Sequence, residues 1–315
     1  MFTKRRSFRR RLRVALLLIF SLLAYAACRN KQDYKKNSHI ELISNASELA
    51  QENYLIVTTS VQGLELSVDH DKHVVTLNSL RSFENLLVTR LLVLFVDDPR
   101  LCNKKHLIHI GLYRTICVQV ELNADFRRPT MDVVFRNMAV YAEHFDVLFI
   151  NSDIVLTNND LGYARDYAKS RGSKYVITGR RIDLDVSEKI DFSDDAHVLR
   201  VSLKAKLQGK LHGKFGLDYF LFSPEALALI RKEISPFIIG VYRWDNVLLT
   251  QLMLHSDVLV YDASDVVQPV HQGTVQHNHL AEAASRYNQK LAEKAVGHAY
   301  LFGNTDNIRL KIPRL

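Results

Sequence analysis

The sequence predicts an α/β fold, a mostly parallel sheet with helices on both faces. Three observations carry this reading. Short runs of strand composition recur along the chain, among them "VLFI" and "YVITGR". Between them lie segments whose apolar residues repeat at helical spacing. The runs are continuously apolar rather than alternating, as strands covered on both sides are. A length of 315 residues allows roughly two domains, or one large domain with extras.

The N-terminus is organised separately. Residues 1–13 form a basic tail with Lys4, Arg5, Arg6, Arg9, Arg10, Arg11 and Arg13. Seven of the net +8 charges sit there, which leaves +1 for the rest and argues against nucleic acid as the main partner. Residues 14–28, "VALLLIFSLLAYAAC", would span about 22 Å as a helix, slightly short of a thin bilayer core of about 27 Å. Two readings stand. One is an uncleaved signal-anchor with its basic end in the cytosol. The other is a cleavable signal peptide, with Ala24-Tyr25-Ala26 as the cleavage pattern. A buried core helix does not suit a segment beside so many arginines. The first reading makes the protein a single-pass type II protein of the Golgi or ER membrane with a lumenal domain. The second makes it secreted. Residues 29–53 are polar and read as a stem or linker, and Asn45-Ala46-Ser47 is an N-glycosylation acceptor in sequence terms. Residues 54–315 are the expected folded domain.

Within that domain the elements follow in order. "NYLIVTTS" holds a strand at Leu55–Thr59, and Val74–Leu87 is a helix. Leu91–Asp98, "LLVLFVDD", is a β-rich run closed by two acids and Pro99. Ile116–Leu122 is another strand. Thr130 can cap a helix whose Val133, Val134, Phe135, Met138 and Tyr141 lie mainly on one side. Val147–Ile150 and Tyr175–Arg180 are further strands, with a helix between. Cys102 and Cys117 are candidates for one disulfide. Cys28, at the edge of the apolar segment, has free, acylated and interchain forms open to it. No C-x-x-C zinc or redox spacing is present.

Four stretches carry candidate chemistry, each beside a bland alternative. In open α/β sheets ligands bind outside the carboxyl ends of the strands. "INSDIVL" places Asp153 there, where it can hold a divalent cation against a diphosphate or merely cap a turn. Asp97 and Asp98 close a second strand at the same edge. "GKFGLDYFLFS" puts two glycines before Asp218 and a strand. Its approach to a P-loop is one residue short, and Phe215 stands where Ser or Thr is needed. "IGVYRWDNVLLTQLML" puts Trp244, Asp245 and Asn246 at the start of a helix, so Asp245 is a helix cap or a general base. "VVQPVHQGTVQHNH" carries His271, His277 and His279, metal ligands or a solvated loop.

Taken in order, these stretches resemble a group of nucleotide-diphospho-sugar transferases of the GT-A glycosyltransferase fold. The motifs run "INSDIVL", "TGRRIDLD", "GLDYFLF", "IGVYRWDN" and "VHQ", and the similarity covers about Leu55 to His279. The resemblance implies one GT-A domain and transfer of a sugar, from UDP or GDP, to a hydroxyl of a glycan or protein. It implies Mn²⁺ or Mg²⁺ on Asp153 and His271. Asp97 and Asp98 would meet the nucleoside, Arg180 and Arg181 the diphosphate or acceptor, and Asp218 the donor sugar. Asp245 would be the base, with Trp244 and Asn246 on the acceptor side. Asn151 departs from the Asp-x-Asp pattern, and an amide is a weaker ligand than a carboxylate. A non-catalytic relative that binds nucleotide sugar or glycan is the alternative, and a nucleotidyltransferase on a similar sheet is a third.

Overall fold

A computed structural model describes residues 54–69, 72–157, 160–186, 188–241, 243–273 and 279–314. The strands are β1 (Leu55–Val61), β2 (Thr89–Val96), β3 (Thr115–Gln119), β4 (Asp146–Ile150), β5 (Ile154–Val155), β6 (Tyr175–Thr178), β7 (Ile182–Leu184), β8 (Lys210–Leu211), β9 (Tyr219–Phe222), β10 (Leu259–Asp262), β11 (Val270–Gln272) and β12 (Leu310–Lys311). The helices are α1 (His73–Asn85), α2 (Lys104–His109), α3 (Met131–Met138), α4 (Asp160–Lys169), α5 (Asp195–Gln208), α6 (Pro224–Ile230), α7 (Trp244–Leu254) and α8 (His279–Val296).

The main sheet runs β12-β10-β6-β9-β4-β1-β2-β3. All its pairings are parallel except the two that β9 makes, with β4 and β6. The expected α/β class with a mostly parallel sheet is therefore what the chain adopts. Alternate residues feed opposite faces, because successive strand side chains point to opposite sides. Ile56, Val93, Phe95, Val147, Phe149, Phe220 and Phe222 enter one core with α3, α6 and α7. Leu55, Val57, Leu92, Leu94, Leu148, Ile150, Tyr219 and Leu221 enter the other with α1 and α4. Each such side chain contributes roughly 1.5–3 kcal/mol when fully buried. That double covering is why these runs read as continuously apolar.

Both edges of the sheet are modest. On one side lies β12, two exposed residues long. On the other, β3 is stapled by a Cys102–Cys117 disulfide to the short turn of helix Pro99–Cys102 that follows β2. The α3 cap is looser than its sequence implies, since Thr130 is extended but makes no side-chain cap hydrogen bond.

The expected single-pass placement in a Golgi or ER membrane is corrected here. Among the described residues no helix is long and apolar enough to cross a membrane. The apolar segment 14–28, like the tail, the stem and the acceptor at Asn45, lies outside the described residues. So do residues 274–278, which hold His277.

Replacing Cys102 and Cys117 together by serine is expected to lower stability by roughly 3 kcal/mol, the loop-closure value for a separation of 15 residues, read as a shifted urea midpoint.

Candidate functional site

Past the carboxyl edge of the main sheet the chain builds a second, four-stranded sheet, β5-β11-β7-β8. It is made from continuations of the main strands. β4 runs on through Asn151 to β5, and β6 runs on through Gly179 to β7. Between them β11 pairs antiparallel with β5, His271 opposite Ile154, and parallel with β7, His271 opposite Asp183. Register sets His271 beside Asp183, and Asp153 reaches it from the turn just before β5.

The distances follow. His271 Nε2 lies 3.4 Å from Asp153 Oδ2, and Nδ1 lies 3.6 Å from Asp183 Oδ1. Asp183 also accepts from Arg181 Nε at 2.9 Å and faces His212 Nδ1 at 2.6 Å. Arg181 Nη1 donates to both oxygens of Asp218, at 3.0 and 2.9 Å. Asp218 is buried here because β9 runs antiparallel to β4, pairing Tyr219 with Ile150. The residue before one strand then meets the residue after the other. Asn151 closes that contact, donating from Nδ2 to Asp218 Oδ1 at 2.8 Å.

Charge is balanced inside the cluster. Burial works against an ionised Asp153, but the hydrogen bond and charge of His271, with help from Arg181, hold it below the ordinary carboxylate range. Burial would likewise lower His271, and Asp153 outweighs it, so the imidazole is raised. Asp183 is held low against its burial by His212 and Arg181. Burial pushes Asp218 up, with Arg181 opposing and the Asp153 charge adding.

Asp245 stands in the first turn of α7, where an anion is favoured. Burial, then the nearby charge of Asp218, push its carboxyl up to about 7, against backbone amides that include Leu217. The residue that starts this helix, Arg243, holds a left-handed φ of 82°, a costly conformation for a side chain of its size.

The remaining expected residues are placed differently. Trp244 is 3% exposed and packs edge-on against Phe149 at 5.5 Å, so it belongs to the core beneath the site. Asn246 is buried, donating to the carbonyls of Gly303 and Phe215. Asp97 and Asp98 lie at the same sheet edge, two strand spacings from β4, roughly 10 Å. Asp98 is engaged by Arg100 in a two-pronged ion pair and lowered to about 2 by it. The Arg180 amide donates to Ser264 Oγ, while its side-chain Nε is buried without a hydrogen-bond partner.

Two further residues hold the arrangement. Asn78, fully buried on α1, donates to Gln272 Oε1 at 3.0 Å and to the Glu188 carbonyl, and accepts from the Ile190 amide. Gln272 in turn donates to Ser79 and to the Val75 carbonyl. Asp183 stood within "TGRRIDLD", which was its signal. Asn78 gave none, since it reads as an ordinary helix residue.

A divalent cation fits Asp153 and His271. The Asp153 side chain is 40% exposed, yet its Oδ1 is sealed and has no hydrogen-bond partner. Carboxylate oxygen and imidazole nitrogen are both suited to Mn²⁺, and such ions take their other ligands from phosphate and water. Among the described residues no group of three or more His, Cys, Asp or Glu side chains is arranged to hold a metal, so this pair alone would leave the rest of the shell to phosphate and water.

No protein-family model and no curated protein matches the chain. Solved structures overlap it at low identity. A mannosyltransferase from Pyrobaculum calidifontis, in complex with GDP-Man and Mn²⁺, is 12% identical with a TM-score of 0.44, covering 86% of this chain and 80% of that one. A 4-diphosphocytidyl-2C-methyl-D-erythritol synthase from Anaerococcus prevotii is 11% identical with a TM-score of 0.41, covering 75% and 99%. These overlaps are shallow, and neither protein's chemistry passes to this chain through them.

Proposed function

We propose that the chain is a glycosyltransferase, moving a sugar from a nucleotide diphosphate to an acceptor hydroxyl. The observation that carries this reading is Asp245. Its carboxyl is tuned to about 7 and faces the charge of Asp218, in one cluster with the Asp153–His271 pair at the carboxyl edge of the sheet. A base poised near neutral pH beside a cation-ready carboxylate is what displacement at an anomeric carbon requires.

Asp153 and His271 would hold Mn²⁺ or Mg²⁺, which when bound offsets charge on the departing diphosphate. The protein groups do the rest. Asp218, fixed by Arg181 and Asn151, orients the hydroxyls of the donor sugar. Arg180, whose Nε is buried without a hydrogen-bond partner, would meet the diphosphate or the acceptor through its guanidinium. Asp97 and Asp98 line the nucleoside side of the edge. Asp245 accepts the acceptor's proton as its oxygen bonds to the anomeric carbon, and the old bond's electron pair leaves with the diphosphate. Trp244 and Asn246 serve by anchoring the helix that carries Asp245.

A non-catalytic nucleotide-sugar or glycan binder is favoured by one observation: the Asn151 amide is engaged by Asp218 and supplies no carboxylate to a metal. Calorimetry with UDP and Mn²⁺, beside turnover assays on an acceptor array, separates the two readings. Binding without turnover on any acceptor supports the binder.

Asp245→Asn is expected to reduce transfer about 10²–10⁴-fold. In the parent, kcat/KM should climb with pH and reach half its plateau near 7, where Asp245 loses its proton. Stability should move the other way. The folded value lies above the unfolded one, so ionising Asp245 costs stability progressively from about pH 4 to about pH 7. Asp245→Asn should therefore raise the melting temperature at pH 8 while transfer is lost; an unchanged pH profile would reject Asp245 as the base. Asp153→Ala should abolish transfer and remove the thermal stabilisation that Mn²⁺ with a nucleotide sugar gives the parent.

A further inference from the structure

Helix α5 has two apolar sides, and the described residues cover only one. Val201 and Ala205 are buried against Ile182, Leu184 and Val270 of the second sheet. Leu199, Leu203 and Leu207 are 59%, 47% and 81% exposed. At about 100° per residue these three form a stripe roughly 80° wide, and the buried pair lies nearly opposite its centre. Isolated exposed leucines need no explanation, but one per turn along a helix of 14 residues, about 21 Å, does.

The flanks of the stripe are cationic. Arg200 sits about 60° to one side of its centre and Lys206 about 60° to the other, with Lys204 beyond Arg200. From Asp194 to Lys214 there are five Lys or Arg residues against two Asp. Leu211 and Phe215, in the segment that follows, are exposed as well. Arg200 approaches Asp194 at 3.7 Å, but that pair is solvated on both sides and weak enough to be exchanged for another anion.

We infer that the outer face of α5 lies against an anionic lipid surface, leucines in the headgroup boundary and the flanking cations on lipid phosphates and carboxylates. A ridge of exposed leucines bordered by Lys and Arg offers both contributions to interfacial binding, apolar area and attraction to anionic headgroups. Self-association on this face would press cationic flanks against each other, a juxtaposition that opposes binding. The contact lies along the lipid surface and crosses nothing. It is independent of the sugar-transfer reading, although α5 leads through β8 to His212 and would set the candidate site at the rim of that surface.

The test reads the helix itself, so the N-terminal segment is common to every sample. In the full chain with Cys28→Ser, an environment-sensitive fluorophore is attached at Leu203→Cys. A control carries it at Lys232→Cys, an exposed position just after α6. Vesicles of phosphatidylcholine with phosphatidylserine should shift the emission at 203 to the blue and raise it. Vesicles of phosphatidylcholine alone should do much less, and position 232 should stay unchanged. Arg200→Gln with Lys206→Gln, both on exposed side chains, should lose most of the gain. No response at 203, an equal response at 232, or a full response without the two cations overturns the inference. So does emission already blue without vesicles that depends on protein concentration, which would mark a second copy on this face.

Discussion

The register of three short strands fixes the candidate site. Because β11 is held between β5 and β7, His271 faces Asp183 in the ladder and Asp153 in the turn before β5. The backbone hydrogen bonds that set this register are shielded by Ile182, Leu184 and Val270, and by Gln272 tied to Asn78. Sliding β11 by one residue would turn its side chains over and send His271 to the other face. The imidazole is thus positioned by a ladder, not by a loop.

Arg181 keeps that cluster compatible with burial. Asp153, Asp183 and Asp218 converge within reach of one another, and a single guanidinium spans two of them. Its planar fork suits this better than an ammonium would, since it offers several donors in a fixed geometry. Asp245 lies just outside the span. The same arrangement that keeps Asp153 and Asp183 ionised leaves Asp245 facing the negative charge of Asp218. Different proton affinities among neighbouring carboxylates therefore come from placement, not from residue type.

Much of the scaffold was legible in the chain. "LIVTTS", "LLVLFV", "VLFI" and "YVIT" are the central strands because residues covered on both faces must be apolar throughout. The reversed direction of β9 was not legible, since an apolar run of four carries no sign of its orientation. Yet that reversal brings Asp218 to Asn151. The packing of Trp244 was hidden for a related reason: a lone tryptophan beside an acid looks the same in sequence whatever its ring faces, and here it meets Phe149 and Phe220. Asp98 also pairs with Arg100, two residues along. Asn78 matters through partners more than 100 residues away, and no local pattern reports such contacts.

The margins of the main sheet have a consequence for handling the molecule. A long bare strand offers its unpaired amides to any neighbour and so seeds fibrils. One margin here ends after two residues, with Lys311 drawn onto Asp262, and the other is clipped by a covalent bridge to its own turn. A neighbouring sheet would thus find a two-residue template at one border and, at the other, a five-residue strand tethered to the turn after β2.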